Sequence, residues 1–416
     1  MRLDGALRSD VEAPLRLIGE VAAGAGARAW LVGGPVRDLL LECVSPDLDI
    51  AVEGPVEGVA QALAERLGGR VKRTTAFLTG TVVLADGLEI DVAHARTETY
   101  PEPGALPVVA AAGIDDDLRR RDFTVNAMAL ALAPDEFGAL LDPHGGVADL
   151  QARLLRVLHD ASFEDDPTRM IRAARFMLWL LFHLEEHTRA LLERAVADRR
   201  AAAVSGARLR NELRLLFARV PDRALWMLAR LGLFEGMGLA PASRRATDAY
   251  RLAPSAMYAL RLDYGDVEWM ALCLGIYAAL SRQDAAALAE RLMLDGDERA
   301  VLCQAAEMVT HPPEALLRAG SNSELFEALE PRSASALIAC RTVLDRSAQM
   351  WLEYYWKDLR GTRADITGKD LKAAGHEPGP AFAEALRAAL AAKLDCHADR
   401  DQQLRIALGM LAGDDD

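Results

Sequence analysis

The pattern of this sequence changes once, near residues 145–155, and that change limits the folds open to it. Before it, short runs rich in β-branched residues alternate with helical stretches. From Val147 onward the periodicity is helical, broken by short turns containing Gly, Pro or Asp. No repeat of fixed period is present. The expected fold is therefore α+β, with a mixed-sheet region first and an all-helical remainder after it. A chain of 416 residues is too long for one ordinary core, so about two to four domains are expected.

Within the first third, residues 11–25 read as a helix and 29–32 as a strand. Residues 35–41 read as a second helix, with Pro35 in the first turn where a missing N–H costs nothing. Residues 48–52 form the next strand, and 56–67 a helix that Gly68-Gly69 ends. Two β-branched runs, 77–84 and 88–93, flank Asp86-Gly87, which is a hairpin signal. The Pro/Gly/Ala-rich stretch 97–113 reads as a long loop, and such loops are usually functional or disordered. Further on, 142–146 is a turn, 160–184 is one helix or two with a break, and 205–217 is a helix with a basic face. The last three aspartates, Asp414 to Asp416, read as a solvated tail.

Composition narrows the partners. The hydrophobic fraction of 51% is that of a folded chain, and only 6% is aromatic. The formal charge of −14 disfavours nucleic acid as a partner of the whole surface, since phosphates need a basic one. Any contact with RNA must rest on local arginine clusters. Cys43, Cys273, Cys303, Cys340 and Cys396 are scattered without CxxC spacing, so neither a zinc site nor a disulfide framework is expected, which fits a reducing cytoplasm. The N-terminus lacks the apolar core of a signal peptide, and the most apolar run, 176–184, is too short to span a bilayer and reads as the buried part of a helix. No membrane partner is expected.

Four segments carry chemistry. In the first, residues 31–52, a Gly33-Gly34 turn opens a helix holding Arg37, and the strand after it carries Asp47 and Asp49. Strand residues two apart share a face, so the two carboxylates project together near a turn whose backbone N–H groups can approach phosphate. Paired carboxylates beside a phosphate cradle point to Mg²⁺ and nucleotide chemistry. A bare DxD is more often a solvated surface turn, and Arg37 alone is as well explained by a salt bridge with Asp38 or Glu42. A third carboxylate from a neighbouring strand would complete the site; Asp91 is the candidate, with Glu89 as the alternative. The second segment is Arg119-Arg120-Arg121-Asp122, followed by an apolar stretch with Asn126, which needs a partner if buried. An Asp beside Arg can accept from a ribose hydroxyl while the Arg takes a phosphate.

The third is Asp165-Asp166-Pro167-Thr168-Arg169, continuing to Arg172 and Arg175. Spaced three apart on a helix, successive members from Asp166 rotate by roughly 60° and stand adjacent. Asp166 and Arg169 pair an acceptor with a planar donor fork, which matches the edge of a base; the plainer reading is an intrahelical salt bridge. The fourth is the 205–217 helix, with Arg208, Arg210, Glu212 and Arg214. It reads as a basic solvated face, with Glu212 able to tie helices together.

In order and spacing these segments resemble the class II nucleotidyltransferases of the polymerase β superfamily, specifically the bacterial tRNA nucleotidyltransferase and poly(A) polymerase family. LVGGPVRDLLL with DLDIAVEG resembles the first family motif, DLRRRDFTVNAMA the second, and DPHGGVADL the link from head to neck. SFEDDPTRMIRAARF resembles the base-selecting motif and SGARLRNEL the one after it, while ITGKDLKAAGHEPGP is similar to a tail signature of CCA-adding members. Asp165 stands where many members have Glu, and Leu41-Glu42 replaces a usual glycine. The resemblance implies a catalytic nucleotidyltransferase head at 1–148, a base-selecting neck at 149–220, a helical body at 221–360 and a tRNA-binding tail at 361–416. It implies transfer of a nucleoside monophosphate from CTP or ATP to a tRNA 3′ end, with pyrophosphate released and no stable protein partner. Asp47 and Asp49 would ligate Mg²⁺, with Asp91 completing the catalytic set. Gly33, Gly34, Arg37 and Arg121 would meet the nucleotide phosphates, Asp122 the ribose, and Asn126 would anchor that segment. Asp166 and Arg169 would read the base with help from Arg172 and Arg175.

Members of this family add CCA, CC alone, A alone or poly(A). The stretch 97–113 looks full length, which speaks against CC addition alone, because the resemblance ties that loop to use of ATP. The sequence expectation is CCA addition. Addition of A alone stays open, because VEG after the carboxylates and PEPGALP in the loop resemble members of that kind. The acidic C-terminus disfavours a poly(A) polymerase, and retention of the motif residues disfavours a silent RNA-binding protein on the same fold.

Overall fold

The computed structural model describes residues 9–412 apart from 44–47, 75–78, 86, 103 and 319. Asp47, the Asp86 of the hairpin signal and the three terminal aspartates therefore lie outside the described residues. The fold is α+β, with a mixed-sheet head and a helical remainder. Two compact units divide the chain. Met1–Glu212 and Arg230–Leu239 form the first; Leu213–Ala229 and Ala240–Asp416 form the second.

The first unit is built on a seven-stranded sheet of β1 (Arg28–Val32), β2 (Leu48–Glu53), β3 (Arg70–Thr74), β4 (Thr79–Val83), β5 (Glu89–His94), β8 (Ala129–Ala131) and β9 (Leu140–Leu141), in the order β3-β4-β5-β2-β1-β8-β9. All neighbours are antiparallel except β2 and β5, which run parallel. Strand alternation sorts the faces. Leu31, Ile50, Val52, Ile90 and Val92 pack with Leu15 and Ile18 of α1 (Ser9–Gly24) and with Val59 and Leu63 of α3 (Val56–Leu67). Trp30, Val32, Ala51, Ala129 and Ala131 point the other way, onto Ile114 and Leu118. The apolar residues that flank Asp49 and Asp91 in sequence are locked into the α1/α3 core, so both carboxylates are forced onto the opposite face.

Three expectations need correction. Residues 97–113 are not an unstructured loop. They fold into a two-stranded antiparallel ribbon, β6 (Arg96–Thr99) with β7 (Val108–Ala111), in the register Arg96↔Ala111 to Thr99↔Val108. The ribbon is mostly solvated, with Val108 61% exposed, so it has no apolar alternation to reveal it. Second, Asp166 is not on a helical face with Arg169, Arg172 and Arg175. A single turn, α6 (Ser162–Asp165), ends at Asp166, whose backbone is extended (φ −132°, ψ 92°), and α7 runs Arg169–Trp179. Proline disfavours the helical region for the residue before it, so Pro167 makes the break. The apolar run 176–184 also leaves the helix early. Leu181 adopts φ 57° and is 59% exposed, and His183–Leu184 form a strand parallel to Leu154–Leu155.

The second unit centres on helix Trp269–Leu280, whose residues from Trp269 to Ala278 are all buried. It lies against Gly296–Thr310, and a Cβ on Gly275 would come within 2.5 Å of Ala305 Cβ and 2.8 Å of the Leu302 carbonyl. A helix apolar all round belongs in a core, and glycine lets the backbones close up. Toward the C-terminus, Ile366, Leu371, Phe382, Ala385, Ala389, Ala407 and Leu411 form a separate small core. Among the described residues no helix is long and apolar enough to cross a membrane.

Candidate active site

The first unit holds an open cavity of about 390 Å³, onto which Gly34, Arg37, Asp49, Arg121, Asp122, Asn126, Asp166, Arg169, Arg172 and Arg175 all face. The sheet, the helix after β1, the segment after α4 (Ile114–Arg119) and α7 thus converge on one place from sequence positions far apart. Gly33 lies behind the wall. It caps α2 (Gly34–Leu40) with φ 75° and ψ −132°, and a Cβ there would sit 2.4 Å from Arg121 Nη1. Only glycine allows both this backbone and the Arg121 guanidinium against it.

Asp122 is the hub. Its Oδ1 accepts from the Phe123 N–H (2.8 Å) and Asn126 Nδ2 (2.9 Å), and its Oδ2 from Arg172 Nε (2.8 Å). Burial alone would raise this carboxyl's pKa. The Arg172 guanidinium and the Asn126 hydrogen bond outweigh it and hold the group well below the usual carboxylate range. Asn126 passes the chain on, accepting from Arg37 Nη1 (2.7 Å), while Arg37 Nε donates to Asp38 (2.8 Å). The expected Arg37–Asp38 pair therefore exists, and it is buried. Arg172 also donates to Glu212 (3.1 Å), which accepts from Arg175 at 3.4 Å, so Glu212 does tie α7 to α9 (Gly206–Arg219). Burial lowers the Arg175 pKa, and its buried Nε has no hydrogen-bond partner among the described residues. Arg37 and Arg175 lie over the Phe176 ring, 5.4 and 4.8 Å from its centroid, and Phe176 stacks on Trp179.

At another part of the cavity, Asp166 Oδ1 accepts from the Thr168 N–H (3.0 Å) and hydroxyl (2.6 Å). Arg169 donates to the Ser162 hydroxyl and to the Arg120 carbonyl, each at 2.7 Å, which keeps other donors of its fork for the cavity. Glu98, Tyr100, Arg120, Thr168, Phe176, Trp179 and Glu212 complete the lining. Of these, Glu98 and Tyr100 escaped sequence reasoning because they sit on the ribbon taken for a loop. Tyr100 donates to Glu98 (3.0 Å), and burial and then Glu98 push its phenol up to about 12. Glu98 also accepts from Arg96 (2.9 Å) and Arg120 (2.8 Å). Asp117, 1% exposed, grips Arg120 and Arg121 at 2.7 and 2.8 Å and is held below the usual range by those cations against the effect of burial.

Asp49 opens onto the cavity and also onto a second hollow of about 430 Å³ that holds Asp91. The parallel register sets Asp49 directly beside Asp91, so their backbones sit about one strand spacing, ~4.8 Å, apart and their side chains leave the sheet on one face. Asp91 is steadied by the Thr81 hydroxyl at 2.6 Å. Glu89, two residues back, is aligned with Val83 and Leu48's neighbour Asp49 is not its partner. Among the described residues no three His, Cys, Asp or Glu side chains gather as a metal cage. Magnesium commonly uses only one or two carboxylates with substrate phosphates, and the oxygen donors of Asp49 and Asp91 suit it.

Residues 29–156 match the model of the poly(A) polymerase head domain. An A-adding tRNA nucleotidyltransferase of Geobacter sulfurreducens is 35% identical over 95% of this chain, which spans 46% of that protein, about half the length of the relative it matches. A CC-adding tRNA nucleotidyltransferase of Deinococcus radiodurans is 38% identical, over 76% of this chain and 81% of its own length. The structure of the Thermotoga maritima CCA-adding enzyme complexed with tRNA superposes with a TM-score of 0.79 at 27% identity, covering 98% of this chain and 96% of that one. The chain belongs to the tRNA nucleotidyltransferase family.

Proposed function

We propose that this chain transfers nucleoside monophosphates from CTP and ATP to the 3′ end of tRNA and so builds the terminal CCA without a nucleic-acid template. The observation that supports this most is one cavity that carries a carboxylate at Asp49, a hub of buried arginines, and the Asp166/Arg169 pair. Six arginines open onto it (Arg37, Arg120, Arg121, Arg169, Arg172 and Arg175) in a chain of net charge −14, so the positive charge is gathered where a triphosphate would sit.

In this reading the tRNA 3′-hydroxyl attacks the α-phosphorus, a new P–O bond forms, and pyrophosphate leaves. Asp47, Asp49 and Asp91 would hold magnesium, which would supply Lewis acidity to the phosphates and the attacking oxygen. Arg37 and Arg121 neutralise the phosphates. Asp122 orients Arg172 and Asn126 and faces the ribose. Asp166 accepts from an exocyclic amine, which cytosine and adenine share, while Arg169 donates to the ring; both bases have an amine next to a ring acceptor. The head (1–148) does the chemistry, the neck (149–220) selects the base, and the body (221–360) and tail (361–416) grip the tRNA.

A second reading, addition of the terminal A alone, is favoured by the Geobacter relative, named A-adding and similar along 95% of this chain. Transcripts ending in the discriminator base, in -C and in -CC, offered with CTP and ATP, separate the two. CCA addition extends all three to -CCA. Labelling of the -CC transcript only would replace it by A addition, arrest at -CC would make the enzyme CC-adding, and no labelling at all would remove the reading.

A further inference from the structure

Thr81, Asp91 and Asp49 form one row across three neighbouring strands. β4 pairs antiparallel with β5 so that Thr81 is aligned with Asp91, and β5 pairs parallel with β2 so that Asp91 is aligned with Asp49. Aligned residues of paired strands put their side chains on the same face. The Thr81 hydroxyl donates to Asp91 Oδ1 at 2.6 Å, and all three residues line the second hollow of the head.

The order of the row gives this bond a direction. Asp91 stands between Thr81 and Asp49. The oxygen that accepts from Thr81 is held toward β4, which turns Oδ2 to the side where Asp49 stands. Among the described residues Thr81 is the only side chain that donates to this carboxylate. Like charges aligned side by side repel, and Asp91 is exposed, so without a tether it would swing toward water. Threonine suits the task. Its branched Cβ keeps the hydroxyl in few rotamers, and the one proton of that hydroxyl is spent on Asp91. Glu89, two residues back, has no such support, because it is aligned with Val83, whose side chain cannot donate.

We propose that Thr81 is a positioning residue that fixes the rotation of Asp91, so that Asp91 and Asp49 serve one divalent cation and Asp91 rather than Glu89 is the third carboxylate. This rests on the magnesium-dependent transfer proposed above. Thr81 acts only through Asp91.

The test uses the full chain with tRNA transcripts, CTP and ATP, and reads transfer against Mg²⁺ concentration. Thr81→Val keeps the shape and the strand preference and removes only the hydroxyl. It is expected to raise the Mg²⁺ concentration at half-maximal rate about tenfold, the usual cost of losing a partner that orients a metal ligand. KM for the nucleotide at saturating Mg²⁺ should stay that of the parent. Thr81→Ser, which keeps the donor, should bring the midpoint back close to the parent's, and Glu89→Ala should not move it. Binding of Mn²⁺ alone, read from the loss of the free-ion electron paramagnetic resonance signal without nucleotide or tRNA, should weaken by the same factor in Thr81→Val and recover in Thr81→Ser. On an Asp91→Ala background, Thr81→Val should cost no further Mn²⁺ affinity, since both break one link. A parental midpoint and Mn²⁺ affinity in Thr81→Val would overturn the proposal. So would a serine variant no better than the valine one, losses that add in the double variant, or a midpoint that follows Glu89 instead. A parent protein that binds Mn²⁺ but transfers no nucleotide would instead fail the reading of the cavity, and the Mn²⁺ measurements would still decide the role of Thr81. A parent that binds no Mn²⁺ overturns that role.

Discussion

Asp122 spends both carboxylate oxygens on the protein itself, and this is the clearest energetic statement the site makes. Its ionised form is stabilised only when folded. A carboxyl depressed on folding adds stability above its unfolded pKa of about 3.9, and that stability is lost as pH falls toward the folded value. Asp117 behaves alike through Arg120 and Arg121. Unfolding free energy should therefore hold level above about pH 5 and decline steeply below it, as urea melts from pH 2 to 7 will show. Asp122→Ala leaves Arg172 and Asn126 facing each other without their acceptor and should cost about 3–5 kcal/mol at neutral pH. A loss under about 1 kcal/mol in the same melts would mean that the hub is not what organises these side chains. Asp49→Ala is different in kind. In the proposed reaction its carboxylate serves the chemistry and not the core, so label transfer to every transcript should vanish while the circular dichroism spectrum stays that of the parent; surviving transfer would remove Asp49 from the proposed metal platform.

Between the elements, what the sequence revealed depended on how deeply each is buried. The strands carrying Ile50, Val52, Ile90 and Val92 alternate because the α1/α3 layer demands it, so their period and the face of Asp49 were legible in advance. The glycine that ends α3 also announced itself, with Gly68 in the left-handed region at φ 68°. The β6–β7 ribbon did not, because solvated strands are under no pressure to alternate, and Glu98 and Tyr100 went unseen with it. The kink at Asp166 was half legible. Pro167 marks a break, but that the break turns Asp166 away from the Arg169 face toward Arg208 depends on α9, about 40 residues on. Packing between elements gives its own prediction at Gly146, the first residue of α5 (Gly146–Ala152). A Cβ there would lie 2.3 Å from the Thr124 carbonyl and 2.9 Å from Met128 Cγ. Gly146→Ala should force α5 off the segment that carries Asp122 and Asn126 and cost about 1–3 kcal/mol in denaturant melts. A neutral result would show that α5 can slide.

At the scale of the whole molecule, two compact units allow damage to be assigned. A nucleotide that binds only the folded first unit should stabilise it, by about 2.7 kcal/mol at a hundredfold excess over Kd. Thermal melts should show this shift in the parent, lose it in Arg37→Ala, and keep it in Gly275→Val, whose overpacking lies in the second unit between Trp269–Leu280 and Gly296–Thr310. A Gly275→Val protein that melts low and also loses the nucleotide shift would mean that the units do not unfold separately. One feature of the cavity bears on how such a molecule can diverge. Arg169 leans on the carbonyl of residue 120, and Arg208 on those of residues 104 and 105. These are contacts to main chain, which every amino acid supplies. Lineages can therefore exchange the side chains at 105 and 120 without removing the acceptors that hold both arginines, and only a shift of backbone can take those acceptors away. Drift at these positions is silent for the anchors, whereas insertions and deletions in the ribbon are not.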